Sequence, residues 1–211
     1  MKLHFIAAAA MAASMLPAHA ALTNNPNALA GIPDVVDFES YDGLLIDGPE
    51  FIANGVVISG GAGTEVGAYI RDLGDNGVWG VGNHFAAAGA SGELRFTFAQ
   101  LQSGAGALLN HFAQSPLSYD VVVSAYDASH QLLESYTLSV GTGVESYNEG
   151  LFVGITRQSA DIRSVSFSGV GLVADNLHYT TAVPEAEAYA MTLCGLGLLA
   201  GLRTWRRRTQ A

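Results

Sequence analysis

Apolar residues in this chain recur at period two, and that alternation limits the fold more than any other feature. Leu94, Phe96 and Phe98 alternate with Glu93, Arg95 and Thr97. Tyr136, Leu138 and Val140 alternate with Ser135, Thr137 and Ser139, and Val165 and Phe167 with Ser164, Ser166 and Ser168. A strand puts such residues on opposite faces, whereas a helix would scatter the apolar set around its circumference. Residues 119–126 form a largely apolar run after Pro116, as expected of a buried central strand. Asp127, Ala128, Ser129 and His130 then make a polar turn, and 131–140 returns, which predicts a hairpin. Further strands are expected at 35–38, 55–59, 67–70, 105–112, 151–155 and 172–179, with Gly- and Asn-rich breaks between runs. About ten short strands predict an all-β, antiparallel β-sandwich. No 12-residue amphipathic helix is visible in this region; one helical turn is expected at 86–90.

Both ends of the chain differ from this pattern. Residues 1–20 begin with Lys2, continue as an alanine-rich apolar run and end in Ala18, His19, Ala20. A basic start, a short apolar core and an A-x-A end are the parts of a secretory signal peptide, with cleavage before Ala21. Residues 21–34, with Pro26 and Pro33, read as a lead-in, 35–180 as one sandwich domain, and 181–211 as a tail. The tail holds an uncharged run from Ala188 to Leu202. Fifteen helical residues span roughly 22 Å, short of a bilayer core of about 30 Å. Thr204 and Trp205 extend the run to a helix of about 188–205, with Arg203 snorkelling to the headgroups. Arg206, Arg207 and Arg208 are expected on the cytoplasmic side of the inner membrane.

Composition narrows the partners. Residues 21–183 contain four arginines, no lysine and seventeen of the nineteen Asp and Glu residues. Nucleic acid is excluded as an expected partner, since phosphate binding needs a basic surface. The single cysteine, Cys194, lies in the tail, so the sandwich has no disulfide and depends on core burial.

Val183, Pro184 and Glu185, then an apolar helix with Leu196 to Leu199, then terminal arginines, closely resemble the PEP-CTERM sorting signal. That signal occurs in Gram-negative bacteria that make exopolysaccharide. Ala186 stands where the family usually has a second proline. The resemblance covers the last 29 residues. It implies processing near the Pro-Glu motif by the membrane enzyme exosortase, with transient anchoring before release to the cell surface or extracellular matrix.

The exported part resembles jelly-roll domains and carbohydrate-binding modules through segments 36–39, 54–59, 122–127, 152–155, 162–168 and 174–179. Such modules commonly pair their first and last strands and hold a structural Ca²⁺ nearby. Asp37 and Glu39, at alternate positions of one strand, and Asp175 on the last supply the hard oxygens that Ca²⁺ prefers. The alternative places Asp37 and Glu39 in solvent and makes Asp175 a turn cap. Tyr69, Trp79 and Phe85, with Asp72, Asp75, Asn76 and Asn83 to supply hydrogen bonds, suit a sugar platform on a Gly-rich loop, although an aromatic in a sandwich is more often core.

Catalytic signatures are lacking. There is no Gly-x-Ser-x-Gly elbow and no His-x-x-x-His or His-Glu-x-x-His spacing. The expectation is therefore a non-enzymatic, exosortase-sorted surface or matrix protein with a binding or structural sandwich, glycan binding included. A secreted polysaccharide hydrolase and a permanently anchored adhesin are the alternatives.

Overall fold

The computed structural model describes residues 21–29, 31, 33–53, 55–68, 83–89, 92–111, 117–142 and 150–180. The signal-peptide residues 1–20 and the tail 181–211 lie outside this set, as do Tyr69, Asp72, Asp75, Asn76 and Trp79. The described residues form an all-β structure of two antiparallel sheets. In chain order the strands are β1 (Ala21–Thr23), β2 (Asp34–Val36), β3 (Leu44–Ile46), β4 (Glu50–Ala53), β5 (Val56–Gly60), β6 (Thr64–Ala68) and β7 (Phe85–Ala87). They continue as β8 (Glu93–Gln102), β9 (Gly104–His111), β10 (Leu117–Tyr126), β11 (Leu132–Thr142), β12 (Leu151–Thr156), β13 (Ile162–Ser168) and β14 (Leu172–Thr180). Only the short 3-10 turn Pro26–Ala28 interrupts them among the described residues.

The first sheet runs β1-β12-β9-β14-β7-β6-β3, with β2 also on β14; the second runs β11-β10-β13-β8-β5-β4. The sheets share one core. Phe38, Phe96 and Phe167 meet at centroid distances of 6.1 and 6.2 Å, and Phe98 of β8 meets Tyr179 of β14 at 5.0 Å. The period-two pattern accounts for this directly: Leu94, Phe96, Phe98, Val165 and Phe167 are all buried, and their alternate neighbours face outward.

The first strand expected from the sequence, 35–38, begins as β2, and β2 pairs with the last strand, while β1 precedes it in the chain. Leu177, His178 and Tyr179 of β14 face Val36, Val35 and Asp34 of β2. Two sequence expectations are corrected. Residues 86–89 make no helical turn: Phe85, Ala86 and Ala87 form the buried strand β7 between β6 and β14, and Phe85, expected on a sugar platform, is a core residue. Small alanines suit such a strand because they let neighbouring backbones and the second sheet approach. Of the strand expected at 67–70, Gly67 and Ala68 belong to β6, which begins at Thr64 and bulges at Gly67; Tyr69 and Ile70 lie outside the described residues. The stretch 21–34, read as a lead-in, places Ala21, Leu22 and Thr23 opposite Thr156, Ile155 and Gly154 as a strand of the first sheet.

One ion-pair set closes the end of the sandwich near β11. Arg157 binds Asp161 through two nitrogens, at 2.5 and 2.8 Å, and Glu134 of β11 at 3.2 Å. A lysine cannot reproduce this fork. Arg157→Lys is expected to cost about 1–2 kcal/mol, a loss that urea denaturation reads as a lowered midpoint.

Candidate functional site

The candidate metal residues do come to one place, where β14 changes partner. Val173 and Ala174 pair with β7, while Leu177–Tyr179 pair with β2. Asp175 and Asn176 fall at the junction, beside a register shift against β9, and Asn176 adopts φ 48°. Phe38 also takes a positive φ, 59°, so the chain turns sharply between Asp37 and Glu39. The two carboxylates are therefore not alternate residues of one strand, because β2 ends at Val36.

Hydrogen bonds tie these carboxylates to donors. Asp175 is 1% exposed and accepts from Asn83 Nδ2 at 3.0 Å, from Asn176 N at 2.6 Å and from Asn176 Nδ2 at 3.0 Å. Glu39 accepts from His84 N at 3.0 Å, and its other oxygen meets His84 Nδ1 at 2.9 Å. Asp37 Oδ1 accepts from the Glu39 amide at 3.3 Å. Burial pushes the Asp175 carboxyl up to about 6; the donors Asn83 and Asn176 oppose this, and the negative Glu39 and Asp37 add to it. Among the described residues, no group of three or more His, Cys, Asp or Glu side chains is placed to hold a metal ion. The oxygens are turned toward N–H groups, an arrangement that does not fit a Ca²⁺ shell as it stands. A raised acid beside other carboxylates is also what glycoside hydrolysis uses, but Asp175 has no open face for a glycosidic oxygen. This cluster joins β2, β7 and β14; Asn83, expected to face a sugar, is spent on Asp175.

The outer face of the second sheet is a different kind of surface. Strand register aligns its side chains in rows across the sheet. One row is Ser135, Ser124, Ser166, Arg95 and Ser59. A second is Tyr126, Ser164, Thr97, Val57 and Phe51. Five neighbouring strands set Phe51 and Tyr126 roughly 19 Å apart. Phe51 is 63% exposed. The small serines of β13 let Arg95 reach across from β8, so that its guanidinium carbon lies 4.3 Å from the Tyr126 ring centre on β10. Glu93 holds the same arginine at 3.0 Å. Ser124 and Ser135 hydrogen-bond at 2.9 Å. Ser164 lies beneath this cover with its hydroxyl fully buried and no hydrogen-bond partner among the described residues.

The alternating serines announced this face as strand, but sequence order does not reveal that residues from five strands share a row. Register was needed to see it. Ser124, Ser164 and Ser166 of these rows are buried, so the face offers solvent the hydroxyls of Ser59, Thr97 and Ser135, the Arg95 guanidinium and the exposed Phe51 ring.

No protein-family model matches the chain, and no curated protein matches it. Among solved structures, it is similar to the CBM22-1–GH10 modules of Clostridium thermocellum endo-1,4-beta-D-xylanase 10B, crystallised with xylohexaose. The identity is 11% and the TM-score 0.33, over 72% of this chain and 28% of that one. The chain thus spans little more than a quarter of that protein's length, and a likeness at this level assigns neither family nor ligand.

Proposed function

We propose that the chain is exported, held briefly in the inner membrane by its tail, and sorted by an exosortase-type enzyme. Its jelly-roll-like sandwich then acts as a non-catalytic binding module of the cell surface or extracellular matrix, with exopolysaccharide as the partner. The observation that carries the binding half is the outer face of the second sheet, where Ser59, Thr97 and Ser135 reach the surface and Phe51 stands exposed. Extended neutral glycans need such arrays of donors and acceptors with apolar edges for their C–H faces. The sorting half rests on the terminal sequence: the A-x-A site at Ala18 and Ala20, and Pro184 and Glu185 before the apolar run and arginines.

Among the described residues, all the strands and the core clusters lie within 21–180, so residues 21–183 are the natural unit to test. This segment is expected to co-sediment with the producer's native exopolysaccharide without shortening it. Release of short saccharides would instead establish a hydrolase. A chelator arm tests the calcium reading at Asp37, Glu39 and Asp175, since loss of sedimentation with chelator would restore it. Intact mass of the mature protein is expected to start at Ala21 and to lack Arg206, Arg207 and Arg208. A mass that retains those arginines would make it a permanent anchor.

A further inference from the structure

A hollow of about 530 Å³ opens at the end of the β13 serine row, walled by Asp120, Ser168, Val170 and glycines of two turns. Ligand pockets typically hold about 300–1,000 Å³. Asp120 and Ser168 both belong to the outer face, since Val121 and Phe167 beside them are core residues. The hollow therefore opens on the outer face at the Ser168 end of β13; Ser166 and Ser164 further along the strand are buried.

Its walls are fixed before any ligand arrives. The turn after β13 leans on the turn after β7: Gly169 N donates to Gly92 O at 2.8 Å, and Gly92 N to Gly89 O at 2.9 Å. A Cβ on Gly92 would stand 2.6 Å from the Gly169 oxygen, so only glycine allows this contact. Buried His111 holds the same turn from below through Nδ1, 2.7 Å from the Val170 carbonyl. A carbonyl only accepts, so Nδ1 carries the proton.

The groups facing the hollow are unlike those at the carboxylate cluster. No described residue reaches the Asp120 carboxylate with a hydrogen bond or an ion pair, and Asp120 is exposed. Ser168 adds a hydroxyl, and Val170, 64% exposed, adds an apolar patch. A carboxylate with two free oxygens accepts from two adjacent hydroxyls at once, and an apolar patch suits the C–H face of a ring. A uronate or phosphate would be repelled by Asp120.

We propose that this hollow is a saccharide site that seats one unit of a neutral glycan, with Asp120 accepting from two of its hydroxyls and Ser168 bonding a third. The proposal rests on the glycan-binding half of the proposed function and assigns its anchoring point.

The full chain in mild detergent is titrated by calorimetry with native exopolysaccharide and with neutral β-1,4-linked hexasaccharides of glucose, xylose and mannose. Asp120→Asn keeps the shape and removes the charge; Ser168→Trp fills the hollow. Both are expected to weaken binding at least tenfold while leaving the melting temperature unchanged, as loss of a charge-assisted acceptor implies. If the native chain binds and both variants bind equally well, the hollow is overturned and the glycan reading stands, with Trp79→Ala the next variant. If the native chain binds none of the four probes, both fall together.

Discussion

Gly67→Ala should destabilise the sandwich by about 3–5 kcal/mol and lower its melting temperature by roughly 10 °C. Two independent effects combine at this residue. Gly67 adopts φ 77°, where an alanine is disfavoured by about 1–2 kcal/mol. An added Cβ would also lie 2.4 Å from the Tyr41 carbonyl carbon and 2.5 Å from its oxygen. Backbone is on both sides of that contact, so no side chain can swing away. Gly67 is the bulge residue of β6, and its carbonyl accepts from Gly43 N at 3.1 Å. The Tyr41 hydroxyl in turn donates to the Ile52 carbonyl of β4, so the bulge indirectly ties the edge of one sheet to the edge of the other. Gly48→Ala is the control, because nothing lies within 4 Å of a Cβ there. Thermal denaturation followed by circular dichroism reads both variants. Equal midpoints for the two would mean that the close contact at Tyr41 does not exist in solution.

This bulge shows where sequence reading stops. A glycine within a strand pattern signals either a bulge or a close approach, and Gly67 is both; nothing local says which backbone approaches. The long strands were legible because one face is apolar and the other hydroxylic. Glu93–Gln102 and Ile162–Ser168 are of this kind. Short edge strands were not legible. Leu44–Ile46 and Glu50–Ala53 lie among Asp42, Asp47, Gly48 and Pro49, and each has too few residues to show a period. Phe85–Ala87 was misread because alanine favours a helix and only the tertiary setting makes it a central strand. The grouping of Asp37 and Glu39 with Asp175 was legible from the rule that first and last strands pair. Their hydrogen bonds were not, since Asn83 and His84 arrive from a third segment.

Asp175 sets the second large effect, and its sign is opposite to that of an ordinary surface carboxylate. Burial raises the folded carboxyl from 3.8 to about 6. Below both values the acid is protonated in the folded and unfolded states alike, and the group adds no penalty. Between them the folded protein holds a proton that the unfolded chain has released, so stability falls as pH rises. Above about 6 the ionised group costs its full amount, about 3 kcal/mol at 1.36 kcal/mol per unit. His111 acts the other way. Burial lowers its pKa from 6.5, so the unfolded chain takes the proton first, and stability is lost as pH falls below that value. The two groups partly cancel in the native protein, and the raw pH profile hides both. Asp175→Asn separates them, because the amide keeps an acceptor for the Asn176 backbone and does not titrate. The stability of the native protein minus that of Asp175→Asn should drop by about 3 kcal/mol between pH 3.5 and 7, with chelator present. Urea titrations at each pH supply both terms. A flat difference would show that Asp175 does not titrate near 6. A slope seen with chelator but erased by added Ca²⁺ would show that a cation reorganises this end, since a divalent charge beside Asp37, Glu39 and Asp175 pulls the carboxyl back down.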